Sequence, residues 1–274
     1  IDDKIAWYEN GSESIAPTIT GVSLAANNAS IAVTMSEAVY NTNGGSGALQ
    51  ASDFAFSISG GVATLSSTTP SSISNSSNVY TLGIGLSGTP NGSETLTVIP
   101  VANSIYDAAG NVASTSQSNN SVSLNDKLEP TISSVSLAAN NASIAVTMSE
   151  AVYNTNGGSG ALQASDFAFS ISGGVATLSS TTPSSISNSS NVYTLGIGLS
   201  GTPNGSETLT VIPVANSIYD AAGNVASTSQ SNNSVSLNDK LEPTISSVSL
   251  DADNLTLAVT MSEAVYNTNG GSGA

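Results

Sequence analysis

The chain contains no cysteine and no histidine, and its only cationic side chains are three lysines. Without cysteine or histidine, a nucleophile activated by histidine is excluded, and so is an ordinary zinc or copper site. The lack of cysteine also excludes disulfides, so rigidity must come from a sizeable core or from bound metal. The shortage of cations excludes nucleic acid as an ordinary partner, because phosphate binding needs positive charge.

Long hydrophobic runs and a high density of charge are missing as well. No apolar run approaches the roughly 20 residues needed to cross a bilayer, so no membrane insertion is predicted within this segment. Only 8% of the residues are charged, and 19 acids against three lysines give a formal net charge of −16. Strong negative charge favours solubility and disfavours binding to an anionic membrane surface.

What the chain does contain is a repeat with a period of 113 residues, in which residues 22–132 reappear unchanged as residues 135–245. Duplication of a whole domain without change favours length or multivalency over catalysis, since one active site normally suffices. The sequence begins at Ile1 and stops within a module, so we expect a segment of a longer chain. The predicted organisation is a leader at 1–16, complete modules at 17–129 and 130–242, and the start of a third module at 243–274.

Apolar residues within a module alternate with a period of two, which is typical of strands buried on one face. Around Ile31, Val33 and Met35, for example, each apolar residue is followed by a small or polar one. Seven short strands without an amphipathic helix predict a β-sandwich, with residues 41–50 crossing between its sheets. A parallel β-helix is disfavoured because no shorter internal period is visible. The strands are predicted at residues 18–25, 30–36, 53–59, 62–66, 78–86, 94–102 and 118–124.

The carboxylates of a module are few enough to be considered individually. A site built from oxygen ligands alone favours calcium. Asp107 opens an Asp-Ala-Ala-Gly-Asn turn, where its carboxylate and nearby carbonyls could ligate a cation or the carboxylate could simply cap the turn. Asp126 and Glu129 lie in the junction between modules, where they could bind calcium or belong to a solvated linker. Lys127 stands beside Asp126 and could pair with these acids in place of calcium.

Three further acids complete the set in the first module. Glu37 follows a strand, where it either faces solvent or reaches the end of the module at which the preceding junction arrives. Asp53 is predicted to cap a turn, and Glu94 to face solvent at the start of a strand, with metal binding as the alternative for Glu94. In the second module the candidate metal ligands recur at the equivalent positions, which are Glu150, Asp220, Asp239 and Glu242.

Catalysis by a carboxylate pair, as in glycosidases, is the one enzymatic chemistry that the composition leaves open. A sugar cleft also needs aromatic walls, and each module has few aromatic residues. Phe54 and Phe56 are two residues apart in a predicted strand, so core packing accounts for them. The chain is therefore predicted not to be an enzyme.

Four stretches together resemble the bacterial immunoglobulin-like repeats of very large extracellular adhesins. They are Pro-Thr-Ile at 130–132, Ile-Ala-Val-Thr-Met-Ser-Glu-Ala-Val at 144–152, Ala-Ser-Asp-Phe at 164–167 and Tyr-Asp-Ala-Ala-Gly-Asn at 219–224. The resemblance covers both complete modules. It implies tandem immunoglobulin-like Greek-key sandwiches, a cell-surface or extracellular location, and calcium that stiffens the stalk. By position it implies junction ligands at Asp126 and Asp239, turn ligands at Asp107 and Asp220, and strand-end acids at Glu37 and Glu150.

Three functions follow from these observations as hypotheses. The first is a structural stalk of an adhesin, in which each repeat contacts its neighbours along the same chain and calcium stiffens turns and junctions. The alternative is a subunit of a self-assembling extracellular filament or sheath, whose partners are other copies of the chain. The third is a carbohydrate-binding module that uses Tyr40, Tyr80, Tyr106 or Trp7.

Overall fold

The computed structural model describes residues 14–271. Its contacts divide the chain into two compact units, Ile1–Leu128 and Glu129–Ala274. Most of the predicted leader, including Trp7, lies outside the described residues. Among residues 14–271, no helix has the length and hydrophobicity required to cross a lipid bilayer.

The first unit contains nine strands arranged in two main sheets and one short pair. One sheet has the order β1-β2-β6-β5, the second has the order β3-β8-β9, and β4 pairs with β7. All neighbouring strands are antiparallel. The bounds are β1 Ile19–Leu24, β2 Ser30–Met35, β3 Phe54–Ser59, β4 Thr64–Leu65, β5 Ile73–Ser76, β6 Val79–Gly83, β7 Leu86–Ser87, β8 Thr95–Pro100 and β9 Ser121–Ser123.

These strand orders are those of an immunoglobulin constant-type sandwich, in which strands A, B, E and D face strands C, F and G. The chain passes from β2 in one sheet to β3 in the other through residues 36–53, as predicted for residues 41–50. An all-β sandwich is therefore confirmed. Strand β5, whose only apolar residue is Ile73, is absent from the predicted strands. The strand predicted at residues 78–86 is two strands, β6 and β7, which pair with different partners.

One hydrophobic cluster joins the two main sheets of the first unit. Ile31 and Leu82 belong to one sheet and Phe54 and Leu96 to the other, and all four are essentially inaccessible to solvent. The Phe54 ring lies 6.1 Å from the Tyr80 ring, centroid to centroid. Each such side chain contributes about 1.5–3 kcal/mol when it is fully buried. The apolar and polar residues that alternate along each strand thus point alternately into the core and toward the surface.

The second unit repeats this architecture with sheets β10-β11-β15-β14 and β12-β17-β18 and the short pair β13-β16. It also includes the hairpin of the third copy, β19 Ile245–Leu250 and β20 Leu257–Met261. The remaining bounds are β10 Ile132–Leu137, β11 Ser143–Met148, β12 Phe167–Ser172, β13 Thr177–Leu178, β14 Ile186–Ser189, β15 Val192–Gly196, β16 Leu199–Ser200, β17 Thr208–Pro213 and β18 Ser234–Ser236.

Burial in this fold comes from the facing sheet rather than from strand pairing alone. Ile144 of β11 is fully buried within the complete second module. The equivalent Leu257 of β20 also pairs with its neighbouring strand, yet it is 59% exposed. The difference arises because no second sheet covers the hairpin among the described residues.

The charged residues of the described chain all lie outside the strands. The outer face of the sheet β3-β8-β9 instead carries hydroxyls, for example the Thr97 and Ser121 side chains, whose oxygens are 2.8 Å apart. The carboxylates are thus confined to loops, to the short 3-10 helices Ala51–Asp53 and Ala164–Asp166, and to the two ends of each module.

Candidate functional site

Each module has two ends that can be defined from the direction of β1. Ile19 of β1 pairs with Met35, so Thr18, Ser36 and Glu37 lie at the end where the chain enters the module, here called the leading end. The opposite end, here called the trailing end, contains the turn after β1 and the segment after β9. The candidate acids are divided between these ends: Glu37 and Asp107 lie at the leading end, and Glu94 and Asp126 at the trailing end.

Glu94 is one of two completely buried carboxylates of the first unit, contrary to the prediction that it faces solvent. Its side chain is completely buried. The carboxylate oxygen Oε1 accepts hydrogen bonds from the backbone N–H groups of Val62 at 2.8 Å and Ala63 at 2.9 Å. Oε2 accepts a third from the Asn91 N–H at 3.1 Å. One side chain thereby ties two loops to the start of β8.

The equivalent Glu207 of the second unit is buried in the same way. Burial alone would raise its pKa, but hydrogen bonds from the backbone of Ala176, Val175 and Asn204 outweigh this effect and lower the pKa to about 2. The same balance of causes lowers the pKa of Glu94. Both carboxylates are therefore ionised at neutral pH, and backbone dipoles replace the water that burial removes.

The loop above Glu94 is shaped by two glycines in the left-handed region, Gly60 with φ 75° and Gly61 with φ 59°. A Cβ atom at Gly61 would overlap the Glu94 carboxylate. Glycine is therefore required at Gly61 both for its positive φ and for the close approach of the carboxylate. The two glycines lie between the strands predicted at residues 53–59 and 62–66, but nothing in the sequence identifies the side chain beneath them.

The trailing end also holds the segment after β9 through paired amides. The Asn28 side chain is 2% exposed. Its Nδ2 donates to the Asn125 carbonyl at 2.7 Å, and its Oδ1 accepts from the Asn125 N–H at 2.9 Å. Two residues further on, the Lys127 N–H donates to the Pro90 carbonyl at 2.9 Å. The chain is thus bound to its own module almost to the end of the unit.

The leading end is tied down by a different set of contacts. The Gln117 Oε1 atom accepts from the Ile19 N–H at 2.8 Å, and the Ser36 hydroxyl accepts from the Thr18 N–H at 3.0 Å. In the second unit the equivalent contacts involve Ile132 with Gln230 and Thr131 with Ser149. Backbone hydrogen bonding to a module therefore resumes at the residue after Pro130.

Asp107 is also completely buried, but its contacts are local. Its two oxygens accept hydrogen bonds from the Asn111 N–H and the Asn111 Nδ2, both at 2.7 Å. Burial raises its pKa, while these bonds and those from the Gly110 and Ala109 backbone lower it, and the net direction is downward. These hydrogen bonds are those of a turn cap, which was one of the two roles predicted for Asp107, the other being metal binding. Asp220 makes the equivalent bonds to Asn224.

The remaining candidate ligands are closer to the surface. Asp126 is half-buried and uses Oδ1 to accept from the Leu128 N–H at 2.9 Å, and Asp239 makes the same contact with Leu241. Glu37 and Glu150 are half-buried, and Glu129 and Glu242 are exposed. The oxygen donors of these residues, and those of the turn aspartates Asp107 and Asp220, are of the kind that suits calcium.

The structure places the tyrosines proposed to bind sugar near one another, and Tyr153 and Tyr193, the equivalents of Tyr40 and Tyr80, line one pocket of the second unit. Tyr80 is buried, and its hydroxyl lies 3.4 Å from the Val39 carbonyl. Tyr40 and Tyr106 are half-buried and form an antiparallel bridge, and the Tyr106 hydroxyl donates to the Asn103 carbonyl. Tyr80 thus packs in the core, and the Tyr106 hydroxyl contacts its own turn.

No family model matches the chain, and no curated protein matches it. Two solved structures are weakly similar. The N-terminal part of the bacterial S-layer protein SbsC has 16% identity and a TM-score of 0.28, and rSbsC(31-844) has 16% identity and a TM-score of 0.29. The matches cover 82% and 90% of this chain but only 45% and 32% of those chains. A TM-score of this size does not establish a shared fold, so the likeness carries no argument about this chain.

Proposed function

We propose that the chain is a structural spacer of an extracellular surface protein, built from repeated β-sandwich modules. The observation that carries this proposal is the way both ends of each module bind the connecting chain. The Lys127 N–H is hydrogen-bonded to Pro90 of the first module and the Thr131 N–H to Ser149 of the second, which leaves residues 128–130 between them. Three residues, one of them proline, do not form a flexible linker. A joint with little freedom is what a spacer requires.

The distribution of charge supports the same proposal. Acids at the loops and module ends keep the chain soluble without interrupting any described strand. Identical copies of such a module change the length of a protein while leaving its chemistry the same. An adhesin stalk is the specific form of this proposal.

The joint can be tested by single-molecule energy transfer between dyes placed on the two units. We expect a narrow distance distribution in the wild type and a broader one in Asn28→Ala/Asn141→Ala, which removes the amide tether at the trailing ends. Asn75→Ala/Asn188→Ala, in exposed strand positions, is the matched control and should leave the distribution narrow. A wild-type distribution as broad as that of a Gly-Ser insertion between Glu129 and Pro130 would contradict the proposal.

Calcium as the stiffening ion belongs to the same proposal. Asp126 and Asp239 offer carboxylate oxygen in segments that hydrogen bonds already hold in place, and hard oxygen ligands suit calcium. A divalent cation there would also offset part of the net negative charge.

Removal of calcium gives a direct measurement. We expect a chelator to lower the melting temperature of the wild type and to have no effect on Asp126→Asn/Asp239→Asn. The variant Asp251→Asn/Asp253→Asn removes the same number of charges from an exposed turn and should keep the full response. A wild-type melting temperature that does not respond to the chelator rules out the calcium mechanism.

Self-assembly into a filament or sheath is the second candidate function, favoured by the uncharged strands. Edge strands normally carry charges or proline that prevent pairing with other chains. The edge strands β5 and β14 carry neither charges nor proline.

We expect the wild type to form concentration-dependent assemblies in sedimentation and electron microscopy. The variant Ser74→Lys/Ser187→Lys should abolish these assemblies, and the control variant Ser52→Lys/Ser165→Lys should preserve them. A chain that stays monomeric at high concentration excludes this function.

A further inference from the structure

We propose that Asn43 and Asn156 are sites of spontaneous deamidation and isomerisation, so that the leading end of each module becomes more acidic with age. An asparagine followed by glycine is the sequence most prone to this reaction, because glycine leaves the attacking backbone nitrogen unshielded. Each module contains two such pairs, Asn43-Gly44 and Asn91-Gly92 in the first. The structure gives the two pairs opposite surroundings.

The first pair lies at the tip of an exposed loop. Thr42 and Ser46 bridge the base of the loop, and Asn43 and Gly44 project beyond it with exposed side chain and backbone. Gly44 has φ 102°, and a Cβ atom built on it would meet nothing within 4 Å. Among the described residues, no hydrogen bond holds the Asn43 amide or the Gly44 N–H. No hydrogen bond to these two groups therefore opposes the rotation that the reaction requires.

The second pair is held in place at the trailing end. Asn91 is half-buried, its Oδ1 accepts from the Ser93 N–H at 3.1 Å, and its own N–H donates to the buried Glu94 carboxylate. A Cβ atom on Gly92 would lie 3.2 Å from the Cβ atom of Asp126, so the glycine packs against the segment after β9. This pair serves as a control within the same molecule.

The chemistry needs only water. The Gly44 backbone nitrogen attacks Cγ of Asn43, the bond from Cγ to Nδ2 breaks, and ammonia leaves with the proton of the Gly44 N–H. Water then opens the resulting succinimide. Opening at Cγ gives aspartate, and opening at the backbone carbonyl carbon gives isoaspartate, which inserts a methylene into the main chain.

The product would change the contacts between the loop and the Asp107 turn. The Asn43 Oδ1 atom packs against the α-carbon of Gly110, and a Cβ atom on Gly45 would lie 3.1 Å from the Ala108 α-carbon. A carboxylate in place of the amide puts negative charge beside the Asp107 turn, and the isoaspartyl form lengthens a loop that packs closely on it. The reaction thus both charges and loosens the leading end.

Peptide mass spectrometry after incubation of the folded protein at mildly alkaline pH tests this proposal. Chymotryptic cleavage gives residues 41–49, identical to 154–162, and residues 87–96, identical to 200–209. We expect the mass increase of amide-to-acid conversion, and a signal with isoaspartyl methyltransferase, in the first peptide only. In denaturant both peptides should convert at similar rates.

The variant Asn43→Gln/Asn156→Gln should reduce the accumulation of acidic forms on ion exchange, leaving only conversion at the remaining pairs Asn10-Gly11 and Asn269-Gly270, and Asn91→Gln/Asn204→Gln should not reduce it. Equal conversion of both peptides in the folded protein would overturn the proposal. So would conversion of peptide 41–49 in denaturant but not in the native state.

Discussion

Glu94 and Asp107 are both completely buried carboxylates of the first unit, and the difference between them lies in how far along the chain they reach. Glu94 accepts hydrogen bonds from Val62 and Ala63, which are 32 and 31 residues away. Asp107 is bound by Asn111, four residues away. The first carboxylate therefore holds separate parts of the module together, while the second organises a single turn.

This difference separates a tertiary role from a local one. A residue with distant partners stabilises only the complete fold, because its hydrogen bonds exist only after the loops have met. A residue with nearby partners can form its contacts early and lose them with little effect elsewhere. Variants that remove one carboxylate or the other should therefore differ in the size of their effect on the free energy of unfolding.

The largest effect is expected for Glu94→Gln/Glu207→Gln. The glutamine keeps the shape of the side chain but loses the charge and turns an amide N–H₂ toward the backbone donors that the carboxylate accepted. Because hydrogen bonds to a buried charge are lost and donors are left unsatisfied, the free energy of unfolding should fall by about 3 kcal/mol per module. Urea denaturation measures this loss.

Glu129→Gln/Glu242→Gln is the matched control, since it makes the same chemical change at exposed positions and should alter stability very little. If the buried and exposed pairs gave equal losses, the structural role assigned to Glu94 would be wrong.

The next largest effect is expected on acidification. The pKa of Glu207 falls from its ordinary value of 4.5 to about 2 in the folded protein, so protonation is easier in the unfolded chain. The stability that this group contributes is complete above about pH 4.5 and is lost progressively as the pH falls toward 2. Urea denaturation in steps across this range should show the loss in the wild type. A much weaker dependence is expected in Glu94→Gln/Glu207→Gln, and an unchanged one would refute the assignment.

The smallest effect is expected for Asp107→Asn/Asp220→Asn. The turn loses charge-assisted hydrogen bonds at one position, but its neighbours along the chain can adjust, so a loss of about 1–2 kcal/mol per module is expected. Hydrogen exchange should locate the change in the turn itself and leave the Val62 and Ala63 amides protected. Deprotection of those distant amides would show that Asp107 acts beyond its own turn.

The same contrast explains how much could be predicted from the sequence. Alternation of apolar residues was sufficient for most strands and for the sandwich, and an aspartate before Gly-Asn was sufficient to suggest a cap at Asp107. Glu94 looked like an ordinary acid before a strand, because its partners are determined by how distant loops meet. The hydrogen bonds between Asn28 and Asn125, which are 97 residues apart, could not be predicted for the same reason.

Strand β5 could not be predicted from the sequence for a different reason. Its residues are almost all polar, so no periodicity marks it, and only its pairing with β6 makes it a strand. Edge strands of this kind are defined by their neighbour rather than by their own sequence.

The identity of the two repeats has a consequence for how the chain folds. Every strand of the second module except β10, which differs from β1 at two residues, has the same sequence as its counterpart in the first, so Asn28 could accept Asn238 in place of Asn125 without any change in local contacts. That exchange roughly doubles the length of the closed loop, which costs only about 0.6 kcal/mol. Side-chain complementarity therefore cannot distinguish the correct partner from its copy. Correct pairing therefore depends on the order of folding. A module that folds while the chain is still being synthesised has no second copy of its strands with which to pair.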